Sequence, residues 1–172
     1  MNEYVIRPAL PGELSSLAAV EQAAASIFPP GAIPDAIRAD SVPLSVLEET
    51  LATGGVWVAA RAGGEVVGFA LLCEEEGLAL LAEMDVSPEH GCKGLGRELV
   101  AAVADRARET GHAALYLTTF SHVPWNMPFY ARLGFAVLDA KAMPPVMEGI
   151  LAAERARGMR NRVAMRLALR QE

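Results

Sequence analysis

Gly94-Leu95-Gly96 lies inside SPEHGCKGLGREL (Ser87–Leu99), where a strand-like run gives way to a helix-like one. Glycines at such a turn let the backbone come close to an anion. The first N–H groups of a helix lack internal acceptors, and the helix dipole adds partial positive charge to them. The chemistry this predicts is phosphate binding, and three phosphate ligands compete. A nucleoside triphosphate loop requires GxxxxGK[ST], which is absent, and a dinucleotide site requires GxGxxG, whereas Leu99 stands where the third glycine belongs. The third ligand is the pyrophosphate of coenzyme A. A second feature is acidic: Glu83 and Asp85 sit in LALLAEMDV among apolar neighbours. No Ser/His/Asp or Cys/His arrangement offers a covalent nucleophile. Two cysteines without a CxxC, together with three scattered histidines, predict no metal site.

These residues need elements to position them. The 172 residues predict a single domain over 1–172, and 52% hydrophobic content is that of a globular chain. A net charge of −6 argues against nucleic acid as a partner. No apolar run spans a membrane and no signal sequence opens the chain, so a cytoplasmic location is expected, in keeping with the sparse cysteines. YVIRPA reads as a first strand, followed by helical spacing at Leu14, Leu17 and Val20. Ser26–Pro43 carries four prolines and reads as a loop with short helical turns, and Leu44–Ala52 as a short helix. Val56–Cys73 folds as a hairpin about Ala62-Gly63-Gly64, and Leu78–Ser87 extends the meander. Leu95, Leu99, Val103 and Ala107 then recur every four residues, marking an amphipathic helix that ends near Gly111. The chain closes on a strand, a short helix, a strand, a helical excursion over Pro144–Met159, and an alternating strand. On that last strand Arg162, Arg166 and Arg170 form a basic face, read as a solvated edge. The fold class expected is α+β, a mixed and mostly antiparallel sheet with flanking helices.

Two motifs stand in order along the chain: Val86-Ser87-Pro88 with Gly91–Gly96, and Tyr130-Ala131-Arg132-Leu133-Gly134-Phe135. Together they resemble the GCN5-related N-acetyltransferase family, which carries V-x-P, then [Q/R]-x-x-G-x-[G/A], and later Y-x-x-L-G-F. The resemblance implies that family's twisted sheet and acetyl-CoA as cosubstrate. It also implies that backbone groups of Met84 and Val86 meet the pantetheine arm, that the N–H groups of Cys92, Lys93, Gly94, Leu95, Gly96 and Arg97 surround the pyrophosphate, and that Gly91 belongs to the same coenzyme-binding loop. This chain departs from the pattern at Gly91, where the family has Arg or Gln, and at Cys92, where it often has Gly. Lys93 either supplies charge to the loop or is a solvated lysine. Cys92 either fills space or is a thiol with lowered pKa.

By the same resemblance Tyr130 protonates the leaving thiolate, and a base lies on the strand entering Val86, Glu83 before Asp85. Strict alternation puts those two acids on one face, but the family's bulge in this strand makes parity unreliable. Asn126 sits four residues before Tyr130, where the family more often has Ala, and is a candidate contact to the coenzyme. The acceptor, a small-molecule or peptide amine, is expected between Ser26–Pro43, Phe120–Asn126 and Pro144–Met159. His90, His112 and His122 are read as structural. Exposed sheet edges allow a homodimer. Two readings of another class stand beside the enzyme: a catalytically weak acyl-CoA-binding module, and an interaction protein on the same fold.

Overall fold

The computed structural model describes residues 3–169, so Arg170 lies outside the described residues. Strands β1 (Tyr4–Pro8), β2 (Val56–Arg61), β3 (Val66–Glu75), β4 (Leu78–Val86), β5 (Ala114–Phe120), β6 (Ala136–Val137) and β7 (Arg162–Ala168) form one sheet. Its order is β1-β2-β3-β4-β5-β7-β6. Helices α1 (Leu17–Ala25), α2 (Asp35–Arg38), α3 (Leu44–Ala52), α4 (Leu95–Glu109), α5 (Met127–Arg132) and α6 (Pro145–Ala156) lie between the strands. This is the mixed α+β sheet the sequence predicts, and every pairing is antiparallel except β4 with β5. No helix among the described residues is long and apolar enough to cross a membrane.

The helix period of α4 buries Leu95, Leu99, Val103 and Ala107, as the spacing requires, and α4 crosses β1 to β5 on one face of the sheet. Tyr130, Phe129 and Phe135, from α5 and the turn after it, join that layer. On the other face, α1 and α3 cover Val56, Val58, Phe69 and Leu71, and α6 covers Leu80 and Ala164. The prolines after α1 give short turns that fold back. Ile33 packs against Phe120, Val123 and Met159, with Phe28 and Ile37 beside them. The three segments expected around the acceptor therefore meet.

The basic strand face is a correction. Strand β7 is interior, paired with β5 on one side and β6 on the other, so Arg162 and Arg166 are not a solvated edge. Arg166 donates to the Tyr116 hydroxyl at 3.3 Å. Arg162 lies 4.4 Å over the Phe120 ring and gives Nε and Nη2 to Glu154 at 2.9 Å each, while Thr118 is within 3.0 Å of Nη2. Both members of this ion pair are largely shielded, with side chains 16% and 14% exposed. Removing one partner leaves the other charge in poor solvent. Glu154→Ala is expected to cost about 2–3 kcal/mol, lowering Tm by roughly 5–10 °C in thermal unfolding followed by circular dichroism.

Candidate active site

The Gly91–Gly96 loop joins a 3-10 turn (Pro88–His90) to α4. His90 and Gly91 donate backbone N–H groups to Ser87 and Pro88, and Glu98 donates to Gly94. Among the described residues, the six N–H groups from Cys92 to Arg97 have no backbone or side-chain acceptor. Gly94 caps α4 at φ +85°, and Cys92 stands at φ +60°. Both are left-handed, a conformation that costs an L side chain about 1–2 kcal/mol. Successive backbone N–H groups turned inward in this way form an anion nest. A Cβ at Gly96 would sit 3.3 Å from Phe129 Cζ and 3.5 Å from Met84 Sδ, so this glycine lets the start of α4 lie against β4 and α5.

Beside the nest the sheet opens. Strands β4 and β5 pair only at Ala79–Leu115 and Leu80–Tyr116, and separate beyond. Ser87 N–H donates to Val67 on β3. Alternation along the antiparallel ladder then turns the backbone N–H and C=O of Met84 and Val86 away from β3, toward the gap. Main-chain polar groups of β4 therefore line the gap.

The acids are placed by a bulge. Leu71 pairs with Glu83 but Leu72 with Leu81, so Ala82 is the extra residue on β4. A one-residue shift moves every later side chain to the other face. Ala79 and Leu81 face α4, whereas Glu83 and Asp85, after the bulge, face α1 across from Leu71 and Phe69. They share a face, and a third acid meets them there. One carboxylate oxygen each from Glu21, Glu83 and Asp85 lies within 4.8 Å of the other two. Glu21 was not legible as a site residue, because its position on α1 carries no local signal. Glu21 also makes a structural contact: Val42 N–H donates to its Oε2 at 2.9 Å.

Desolvation, then the Glu21 charge, pushes Glu83 up to about 7, opposed by Arg162. Desolvation, then the charge of Glu83, raises Asp85 well above the usual carboxylate range. Asp85 Oδ2 is buried without a hydrogen-bond partner. The site can therefore accept a cation or hold a proton.

Tyr130 is buried on the α4 side, edge-on to Phe129 and Phe135 at 5.1 and 5.8 Å between ring centroids. Its hydroxyl makes no hydrogen bond among the described residues. Desolvation, then the charges of Glu83 and Asp85, hold its pKa well above that of an ordinary phenol. The phenol stays protonated and feels both acids through the gap. Asn126 caps α5, its carbonyl accepting from Phe129 and Tyr130, and its Oδ1 is buried and unpartnered.

Other expectations resolve simply. Cys92 is exposed and fills no space, and Lys93 bonds to the Tyr4 hydroxyl at 2.6 Å. His112 meets Glu74 at 3.2 Å, and His122 meets the Ala32 carbonyl at 3.2 Å, both structural contacts. Phe28 packs edge-on against Phe120 and Trp125, an aromatic cluster between the segment after α1 and the end of β5.

A family model described as the acetyltransferase (GNAT) family matches residues 19–135. Streptothricin acetyltransferase of Streptomyces lavendulae is 35% identical over 82 residues, which are 46% of this chain and 43% of that protein. The chain thus matches less than half the length of this curated relative. N-acetylglutamate synthase from Neisseria gonorrhoeae, solved with coenzyme A and N-acetyl-glutamate, superposes with a TM-score of 0.72 at 19% identity, covering 99% of this chain and 36% of that one. The structure of yncA from Salmonella typhimurium with its cofactor acetyl-CoA superposes at 0.70 and 21% identity, covering 99% and 96%. At these identities the structural likeness establishes the fold.

Proposed function

Because this chain belongs to the GNAT acetyltransferase family, we propose that it moves the acetyl group of acetyl-CoA directly to a primary amine that arrives as a cation. The observation that carries this reading is the nest of six unsatisfied N–H groups, Cys92 to Arg97, beside the gap between β4 and β5. The nest suits a pyrophosphate, and the free backbone of Met84 and Val86 suits an amide-bearing arm. Asn126, whose Oδ1 lacks a partner, is a further contact for that arm.

The chain's own groups account for the protons. An ammonium ion entering from the α1 side meets Glu21, Glu83 and Asp85. Ionised Glu83 takes one proton, leaving a neutral amine whose lone pair attacks the thioester carbonyl. A C–N bond forms and the C–S bond breaks. Tyr130 gives its proton to the departing thiolate, the second proton of the attacking nitrogen restores the phenol through the gap, and Glu83 releases its proton to solvent. Overall, an ammonium and a thioester become an amide, a thiol and one released proton. A base with a pKa near 7 matches neutral operating conditions. Streptothricin acetyltransferase bears the name of an antibiotic substrate, and N-acetylglutamate synthase that of an amino-acid product. Both names fit an acceptor of this class, and the acidic floor favours one of net positive charge.

The test is titration with acetyl-CoA by calorimetry, followed by a screen of primary amines for release of free CoA thiol. Binding with thiol release supports the enzyme. Binding without release from any amine favours the acyl-CoA-binding module, and no binding at millimolar ligand refutes both. With an acceptor in hand, Tyr130→Phe is expected to lower kcat about 100-fold while changing the acetyl-CoA Kd less than about twofold. Loss of affinity matching the loss of kcat would make Tyr130 a packing residue.

A further inference from the structure

We infer that Tyr4, on β1, is a positioning residue for the nest, holding the Cys92–Arg97 loop in its anion-binding form through Lys93 and His90. The inference rests on the reading of that loop as the coenzyme site. Three contacts carry it. Lys93 Nζ donates to the Tyr4 hydroxyl at 2.6 Å, Tyr4 and His90 Nδ1 are 2.9 Å apart, and the Lys93 ammonium lies 5.0 Å over the Tyr4 ring. An ammonium only donates, so the Tyr4 proton is free to go to His90 Nδ1. The hydrogen bond to Tyr4 also holds the Lys93 ammonium above its ordinary pKa.

One phenol thus ties down both flanks of the stretch that departs from regular structure. His90 precedes Gly91, and Lys93 follows Cys92. This matters because the stretch has little else to hold it. From Cys92 to Gly94 no backbone N–H is satisfied, and Lys93 is the only side chain from Gly91 to Arg97 with a hydrogen bond among the described residues. Cys92 is kept in a left-handed conformation at φ +60° that an L residue leaves when free to do so. A nest binds anions only if its N–H groups already converge, since an unordered loop loses affinity to the entropy of ordering it. The tether from β1 supplies that order. Lys93 acts here by shaping the loop from behind, its ammonium engaged by Tyr4.

Tyr4→Phe keeps the ring and its edge contact to His90 but removes both hydrogen bonds. Lys93→Met removes the other end at an exposed position that does not threaten folding. Each is expected to raise the acetyl-CoA Kd about five- to tenfold in calorimetry. The Tyr4→Phe/Lys93→Met double variant is expected to fall within about twofold of Tyr4→Phe alone, because Tyr4→Phe already removes the bond that Lys93→Met breaks. Lys93→Met should leave Tm unchanged, which separates loop order from global stability. An unchanged Kd in either single variant overturns the inference. Multiplying effects in the double variant overturn it too, because Lys93 would then act on the coenzyme by itself. Absence of binding by the unmodified protein would instead overturn the coenzyme reading on which the inference stands.

Discussion

Glu83→Gln is expected to lower kcat/KM by about 100- to 10,000-fold at pH 8, the range for loss of a general base. In the unmodified protein, log kcat/KM should rise with unit slope as pH increases and level off above about 7, where Glu83 is ionised. The variant should lose that inflection. Stability moves the other way. The folded protein holds the Glu83 proton up to about 7, whereas an unfolded carboxyl releases it near 4.3. Between those values the folded state binds more protons, so this group's contribution to stability falls as pH rises and is lost above about 7. Gln carries no such burden, and Asp85 loses a like-charged neighbour. Above pH 7 the variant should melt roughly 2–6 °C higher than the unmodified protein, and near pH 4 the difference should vanish. Near-normal activity in Glu83→Gln would shift the base role to Asp85 or to water.

The second large effect is on binding. Gly94→Asp is expected to raise the acetyl-CoA Kd at least 100-fold, and Gly94→Ala only about five- to tenfold. A Cβ at Gly94 meets nothing within 4 Å, so alanine tests backbone conformation alone, at φ +85°. That conformation costs an L residue about 1–2 kcal/mol. Aspartate adds a negative charge within the nest, and two unit charges 5 Å apart repel by about 3 kcal/mol at an effective dielectric constant near 20. The helix dipole welcomes that charge, so the aspartate variant should fold normally while excluding the phosphate. Equal losses in the two variants, measured by calorimetry, would mean that the loop's shape and not its polarity decides binding.

These two sites differ in how far they could be read without a structure. The nest is local. Its glycines, the strand before it and the four-residue apolar period of α4 are all within one short stretch, so its place at the start of a helix is written locally, although what steadies it is not. Tyr130 is similar, since Leu133-Gly134-Phe135 ends its helix at a predictable place. The sheet order follows from alternation and turns, with one exception. The arginines of β7 looked like an edge because alternation shows which face a side chain takes but not which strands flank it.

The acidic site was decided by tertiary structure. Glu83 and Asp85 stood out as acids in an apolar strand, but their face depends on whether Ala82 is paired or bulged, and a period of two residues makes that a choice between opposite sides of the sheet. The partners across the sheet settle it: Leu72 opposite Leu81, 9 positions away in sequence, and Leu71 opposite Glu83, 12 away. Glu21 enters from a helix some sixty residues earlier, and Tyr4 reaches Lys93 across 89 positions. By itself the sequence determined the backbone that can hold a phosphate. Only the folded sheet decided which carboxylates face one another, how strongly burial shifts their protons, and what steadies the loop, because desolvation and charge coupling depend on distances in space that a local pattern does not encode.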